Sequence, residues 1–121
     1  MLRDVKLTGT TDASGNLTVN ADTQIAGLLF GIEWVVGTFA AGVDAVISMQ
    51  STPSGVAKTV LTLTNANANA FYNPREAEHD NTGAAITGAY CYPLVIGKPR
   101  LVVAQGGNTM TGTCILYYTP L

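Results

Sequence analysis

Charge is scarce in this chain. Six Lys and Arg plus eight Asp and Glu make up 12% of 121 residues, about half the roughly 25% of an ordinary soluble domain. So few charges cannot coat a monomer. Its surface must be largely Thr, Asn, Ser and Gly, or partly covered by a partner. The basic residues Arg3, Lys6, Lys58, Arg75, Lys98 and Arg100 are scattered. The concentrated positive surface that releases counterions from nucleic acid is missing, and so is a basic membrane-binding helix. Long apolar runs are missing too. The longest, Ile25 to Val36, is interrupted by Gly27, Gly31 and Glu33 and is too short to span a bilayer. The first ten residues hold no apolar core of signal-peptide length, so synthesis in the cytoplasm is expected. Histidine occurs once and cysteine twice, as Cys91 and Cys114. Two cysteines make neither a disulfide scaffold nor a zinc site. They read as buried thiols acting as small hydrophobes, or as a cross-strand disulfide if the fold brings their Cα atoms within reach.

What is abundant points to β-structure. The chain holds 13 Gly and 16 Thr, which lower helix stability, and Thr suits a pleated, half-buried surface. Val5 to Thr10, a turn at Asp12-Ala13-Ser14-Gly15, and the alternating Asn16 to Asn20 predict an N-terminal hairpin. Gly27 to Val36 predicts a strand buried on both faces. Val43 to Gln50, the turn at Thr52-Pro53-Ser54-Gly55 and Val60 to Thr64 predict a second hairpin. Asn65 to Ala70 is a loop. Asn73-Pro74-Arg75-Glu76 has a helix-start pattern, so one or two helical turns are expected over Pro74 to Asp80. Tyr90 to Ile96 and Arg100 to Ala104 are short apolar runs separated by Gly97-Lys98-Pro99. Leu101 to Tyr118 predicts a third hairpin around the Gln105 to Asn108 loop. About seven or eight strands with turns every 8 to 12 residues describe a sandwich or small barrel.

Catalytic groupings are absent from the pattern. Arg75, Glu76, Glu78, His79 and Asp80 form the densest ionisable cluster, but the spacing fits neither a calcium loop nor a zinc site. His79 has no nucleophile in a recognisable elbow beside it. Gly106-Gly107 is followed by a strand-like run rather than the helix a phosphate cradle requires. The aromatics divide more usefully. Phe30, Trp34 and Phe39 read as core. Tyr117 and Tyr118 are neighbours, so in a strand one of them faces outward, as at an interface.

Three stretches, together with a fourth near the N-terminus, resemble a family of small virion structural proteins of tailed bacteriophages. These are Gly42-Val43-Asp44 before its alternating strand, Tyr72 to Ala85, and Val102 to Asn108 followed by Thr111-Gly112-Thr113. They extend over roughly the last two-thirds of the chain, and Pro74 to Gly83 is the most specific. The turn from Thr11 to Val19 is similar to that family as well. The resemblance implies symmetric, non-enzymatic assembly without a cofactor. It also implies a partner among the major capsid protein, a portal-proximal ring and the tail.

The expectation is one domain over 1–121, an antiparallel β-sandwich, jelly-roll-like, with one short helical turn. The expected role is that of a capsid decoration (cement) protein, a homo-oligomer (trimer or dimer) on the major capsid protein at the virion surface. It would have no nucleic-acid, membrane or small-molecule partner. A neck or tail component and a carbohydrate- or host-binding β-module are the alternatives. The contact candidates are Phe71, Tyr72, Arg75, Glu76, Glu78, His79 and Asp80 in one loop, Asn108 in a second, and Tyr118.

Overall fold

Residues that alternate between apolar and polar do form strands, ten in all, and the computed structural model describes residues 1–121 without any helix. The strands are β1 Arg3–Thr10, β2 Leu17–Asn20, β3 Ile25–Val35, β4 Asp44–Gln50, β5 Lys58–Leu63, β6 Ala70–Tyr72, β7 Glu76–His79, β8 Ala85–Cys91, β9 Leu94–Ala104 and β10 Thr111–Pro120. Every pairing is antiparallel. One layer runs β1-β10-β3, with β6 on the far side of β3, and the other runs β2-β9-β4-β5. β9 belongs to both layers. Its first residues pair with Ile25 to Leu28 of β3, and the rest pair with β4 and β2. The change of partner falls at Gly97, which adopts φ +136° where a Cβ would lie 2.2 Å from the Gln50 carbonyl oxygen. The expected break at Gly97-Lys98-Pro99 is therefore a bend inside one strand.

Between the layers lies a core of 18 buried residues, with Trp34 and Leu29 at 0% exposure. Trp34 stacks on Phe39 with ring centroids 5.6 Å apart. Its indole N–H donates to the Ala66 carbonyl at 2.8 Å, so the Asn/Ala-rich loop is tied to the core by that donor. Full burial of a large apolar side chain contributes about 1.5–3 kcal/mol, provided its polar atom is satisfied as here.

Several expectations change. The β4–β5 pair is the predicted hairpin, with Gly55 at φ +80° in its turn. The other two predicted hairpins are arches between layers. β1 pairs with β10 while β2 pairs with β9, and β9 and β10 do not pair. The turn at Asp12 forms as read: its carboxylate accepts from the Ser14 and Asn16 N–H groups, each at 2.9 Å. Beyond that turn, Leu17 and Val19 pack beneath Gly9, so the apolar faces of β1 and β2 meet across the core instead of lying side by side. The helical turn over Pro74 to Asp80 is absent, and Glu76–His79 is a strand paired with β8. The six residues from Pro74 to His79 before the Asp80 turn are too few to offset helix nucleation. β3 is buried on one face only. Phe30, expected in the core, is half-buried on the outer face beside a bulge between Gly31 and Leu29.

Gly97→Ala should lower unfolding stability by about 3 kcal/mol through strain and clash together. Gly55→Ala, with similar positive φ but open space around it, should cost about 1 kcal/mol. Urea denaturation of the two variants checks the difference.

Candidate functional site

Two features occupy the outer face of the β1-β10-β3-β6 layer and its margin. One is an aromatic groove of about 410 Å³ lined by Leu2, Phe30, Phe71, Asn73, Arg75, Tyr92 and Tyr117. The other is the β7–β8 hairpin, which projects as an arm.

The groove is built by strand register. β6 lies beside β3 with Phe71 opposite Glu33, so the Phe71 ring lies over Gly31, where a Cβ would come within 2.5 Å of it. Only glycine permits that approach. Phe71 stacks on Tyr117 at 5.9 Å, and Phe30 meets Tyr92 edge-on at 4.6 Å. The Arg75 guanidinium sits 4.1 Å from the Tyr92 ring centroid and donates to the Phe30 carbonyl at 3.3 Å. Tyr117 donates its phenol proton to Glu33 Oε1 at 2.8 Å. That bond, then partial burial and the charges of Glu33 and Asp4, push the Tyr117 phenol above its usual range. The groove thus offers ring faces, one cation and fixed hydrogen bonds. Phe71 remains 56% exposed and Tyr92 42% exposed, as a contact surface requires.

The arm has nothing beneath it. Every residue from Glu78 to Gly88 is exposed, and β7 and β8 pack chiefly on each other. The ladder is interrupted, with Ala77 opposite Tyr90 but His79 opposite Ala85, so Ile86 to Ala89 bulge out. Ile86 and Tyr90 are 44% and 65% exposed. At the base, Glu76 forms an ion pair with Lys58 at 2.5 Å. At the tip, the Asp80 carboxylate accepts from the Thr82 hydroxyl at 2.6 Å, the Thr82 N–H at 2.8 Å and the Ala84 N–H at 3.1 Å. These bonds, the Thr82 hydroxyl first, hold Asp80 below its usual carboxylate range. An isolated two-stranded hairpin is marginally stable in water, so this arm is a segment that gains from being covered.

The sequence-based candidates therefore separate. Phe71 and Arg75 join the aromatic groove. Glu78, His79 and Asp80 lie on the arm, and Glu76 at its base. Tyr72 is half-buried against the core. Asn108 is exposed near the start of β10. Thr111 and Tyr117 of that strand are six residues apart, roughly 20 Å at strand rise, so Asn108 is remote from the groove. Tyr118 is a correction: it is 7% exposed and part of the core, and Tyr117 takes the outer face. Counting alternate residues from Gly112 through Cys114 and Leu116 would have put Tyr118 inside. Phe30, Tyr92 and Tyr117 were not among the contact candidates; β3–β10 pairing brings Phe30 and Tyr117 to the same face, and Tyr92 reaches it from the β8–β9 connection by packing on Phe30.

No three His, Cys, Asp or Glu side chains converge on one point. Cys91, at the arm's base, and Cys114, in the core, are both free thiols. Burial pushes the Cys114 thiol up to about 12, which leaves it protonated and unreactive at neutral pH.

The Asp80 carboxylate sets a pH dependence. Its pKa is depressed in the folded chain, so its contribution is complete above the unfolded value near pH 4 and is lost as pH falls through the folded value. Amide exchange at Thr82 and Ala84 should accelerate at neutral pH in Asp80→Ala and in the natural chain only on acidification below about pH 4. Hydrogen exchange followed by NMR checks this.

No protein-family description and no curated protein matches the chain. Among solved structures it is similar to a protein of the Bacillus endospore appendages, described as a family of disulfide-linked pili (14% identity, 100% of this chain and 88% of that chain, TM-score 0.45). It is also similar to CBM32-3 of a family 31 glycoside hydrolase from Clostridium perfringens (14% identity, 93% of this chain and 74% of that chain, TM-score 0.40). A third likeness is to the infectious bursal disease virus VP2 subviral particle (17% identity, 99% of this chain and 32% of that chain, TM-score 0.36). Each is a likeness of β-architecture and of nothing finer.

Proposed function

We propose that this chain is a virion structural subunit, a capsid decoration (cement) protein that binds the outer surface of the major capsid protein lattice. It acts through surface burial, as a homo-oligomer, and without a catalytic step, cofactor or small-molecule substrate. The observation that carries this reading is the β7–β8 arm: eleven consecutive exposed residues, Glu78 to Gly88, with no layer of their own to pack on. The arm also overlaps the most specific part of the resemblance to tailed-phage virion proteins, Pro74 to Gly83. Beside it, Phe71, Tyr92 and Arg75 are of the residue types that anchor interfaces. Weak contacts repeated over a symmetric lattice add up through avidity. A neck or tail position would use the same surface and differs in copy number: hundreds per particle for a cement protein, about a dozen or fewer for a closed ring.

The exposed rings of Phe71, Tyr90 and Tyr92 favour one second reading, a carbohydrate-binding module. Glycan-array binding that disappears in Tyr92→Ala would support it.

Replacing Glu78 to Gly88 by a Gly-Gly turn keeps the Glu76/Cys91 and Ala77/Tyr90 pairs. That variant should keep the thermal midpoint within a few degrees and lose capsid binding by about 100-fold, the scale of hot-spot removal. Particles lacking the protein, titrated with each form, provide the assay. Undiminished binding by the shortened chain would overturn the arm's role, and density confined to the tail in virion cryo-microscopy would overturn the capsid assignment.

A further inference from the structure

Four strands end a layer, and three of them are blunted. β6 has three residues and β2 has four. β5 carries a register shift that leaves Val60 without a partner. Bulged and very short edges resist pairing with another chain. β1 is different. It runs for eight residues without proline and in unbroken register with β10, from Arg3 opposite Tyr118 to Thr10 opposite Thr111. Its other side is unpaired.

The direction of its backbone groups follows from the end of the ladder. The Thr11 N–H donates to the Met110 carbonyl at 2.8 Å, which continues the same register. Antiparallel pairs alternate between exchanging and not exchanging bonds, so the odd residues of β1 turn their N–H and C=O groups toward β10. Thr8 and Thr10 confirm the alternation: their hydroxyls meet those of Thr113 and Thr111 at 3.0 Å, as in close, non-bonded pairs. Asp4, Lys6, Thr8 and Thr10 therefore aim their backbone groups at open solvent. The edge also borders a groove of about 650 Å³ whose lining includes Val5, Leu7, Val19 and Ile25. Met1 and Leu2, which precede the strand, are 89% and 57% exposed.

We propose that β1 pairs with β1 of a second copy, antiparallel across a two-fold axis centred on Val5. Charge selects that register. Side chains on the same face must be opposite one another, so the centre falls on a residue. A centre at Asp4 sets Asp4 against its own copy, and a centre at Lys6 sets Lys6 against its own copy; both are repulsive. A centre at Val5 sets Asp4 against the partner's Lys6 and Lys6 against the partner's Asp4, two cross-strand ion pairs on the outer face. The bonded pairs then fall on the even residues, whose groups are free. The Val5 side chains meet in a non-bonded pair over the groove. Lys6, which alone would guard an edge, becomes complementary through Asp4. This pairing is independent of what the arm binds, so it survives if the capsid reading fails.

The test has two parts. In a Cys91→Ser background, Val5→Cys should form a covalent dimer on mild oxidation, since the Cα atoms of such a pair lie about 4.5 Å apart. Asp4→Cys and Thr8→Cys should not. Separately, sedimentation equilibrium should show a dimer that weakens by about tenfold in Lys6→Glu. The swapped chain Asp4→Lys with Lys6→Asp should recover to within about threefold of the natural one, because the two ion pairs are restored in reverse. A natural chain that stays monomeric at about 100 μM, a concentration at which even weak edge pairing registers, would overturn the proposal. So would cross-linking at Asp4→Cys rather than Val5→Cys, or a swapped chain no better than Lys6→Glu.

Discussion

The bend of β9 at Gly97 is the constraint on which the rest of the architecture depends. A strand of eleven residues cannot serve two stacked layers unless it turns sharply, and here the turn uses a φ that side chains rarely adopt. One side of the sandwich is thereby sewn shut by hydrogen bonds to β3 before the bend and to β4 and β2 after it. The opposite side has no such seam, and β1 and β2 end their layers there. The closed side also fixes where the chain leaves the core. β8 must deliver Pro93 to the start of β9, where its carbonyl accepts from the Leu29 N–H at 3.0 Å. The hairpin before it is left outside. Arm, aromatic groove and open edge are consequences of closing only one side.

Much of this was legible in the sequence. The period-two alternation of Val43 to Gln50 and of Asn16 to Asn20, the glycines of the Asp12 and Thr52 turns, and the Asn/Ala loop are all where the residues put them, because each depends on near neighbours. The misreadings share one cause. A turn signal reports that the chain reverses, not whether the returning strand stays in the same layer. The Asp12 turn and the Gln105 to Asn108 loop are well specified, yet each opens into an arch, since only distant partners (β10 for β1, β3 for β10) decide the layer. The Asn73-Pro74 pattern has a helix-like start but only five residues before the Asp80 turn. The Asx hydrogen bonds of Asp80, which are as local as a cap, prevail.

The contact surface was legible in its residues more than in its geometry. Phe71, Arg75 and the charges of the arm stood out because they cluster in sequence. Phe30 and Tyr117 reach the same surface from other strands. The outward direction of Phe30 is set by the bulge where Tyr117 and Tyr118 pair with Gly31 and Leu29 and bypass it, whereas Tyr117 faces outward by the plain alternation of β10. A one-residue offset exchanges the faces of a strand. It explains why Phe30 lies outside the core. A sequence holds no record of such an offset until the opposing strand is known.

The sparse charge takes on a positional meaning in this setting. Asp4 lies opposite Tyr117 in the β1–β10 ladder, and its charge helps push the Tyr117 phenol pKa above its usual range. Asp4, Lys6, Tyr117 and Phe71 therefore share one face. A two-fold axis through Val5 runs perpendicular to that face, so a pair joined at β1 presents both aromatic grooves on the same side of one continuous sheet. Two surfaces held at a fixed spacing bind a periodic partner with an effective concentration that neither has alone. Few charges suffice when those present set the register and orientation of a repeated contact. The buried area then supplies the affinity, and the Thr-rich remainder keeps the other faces wet.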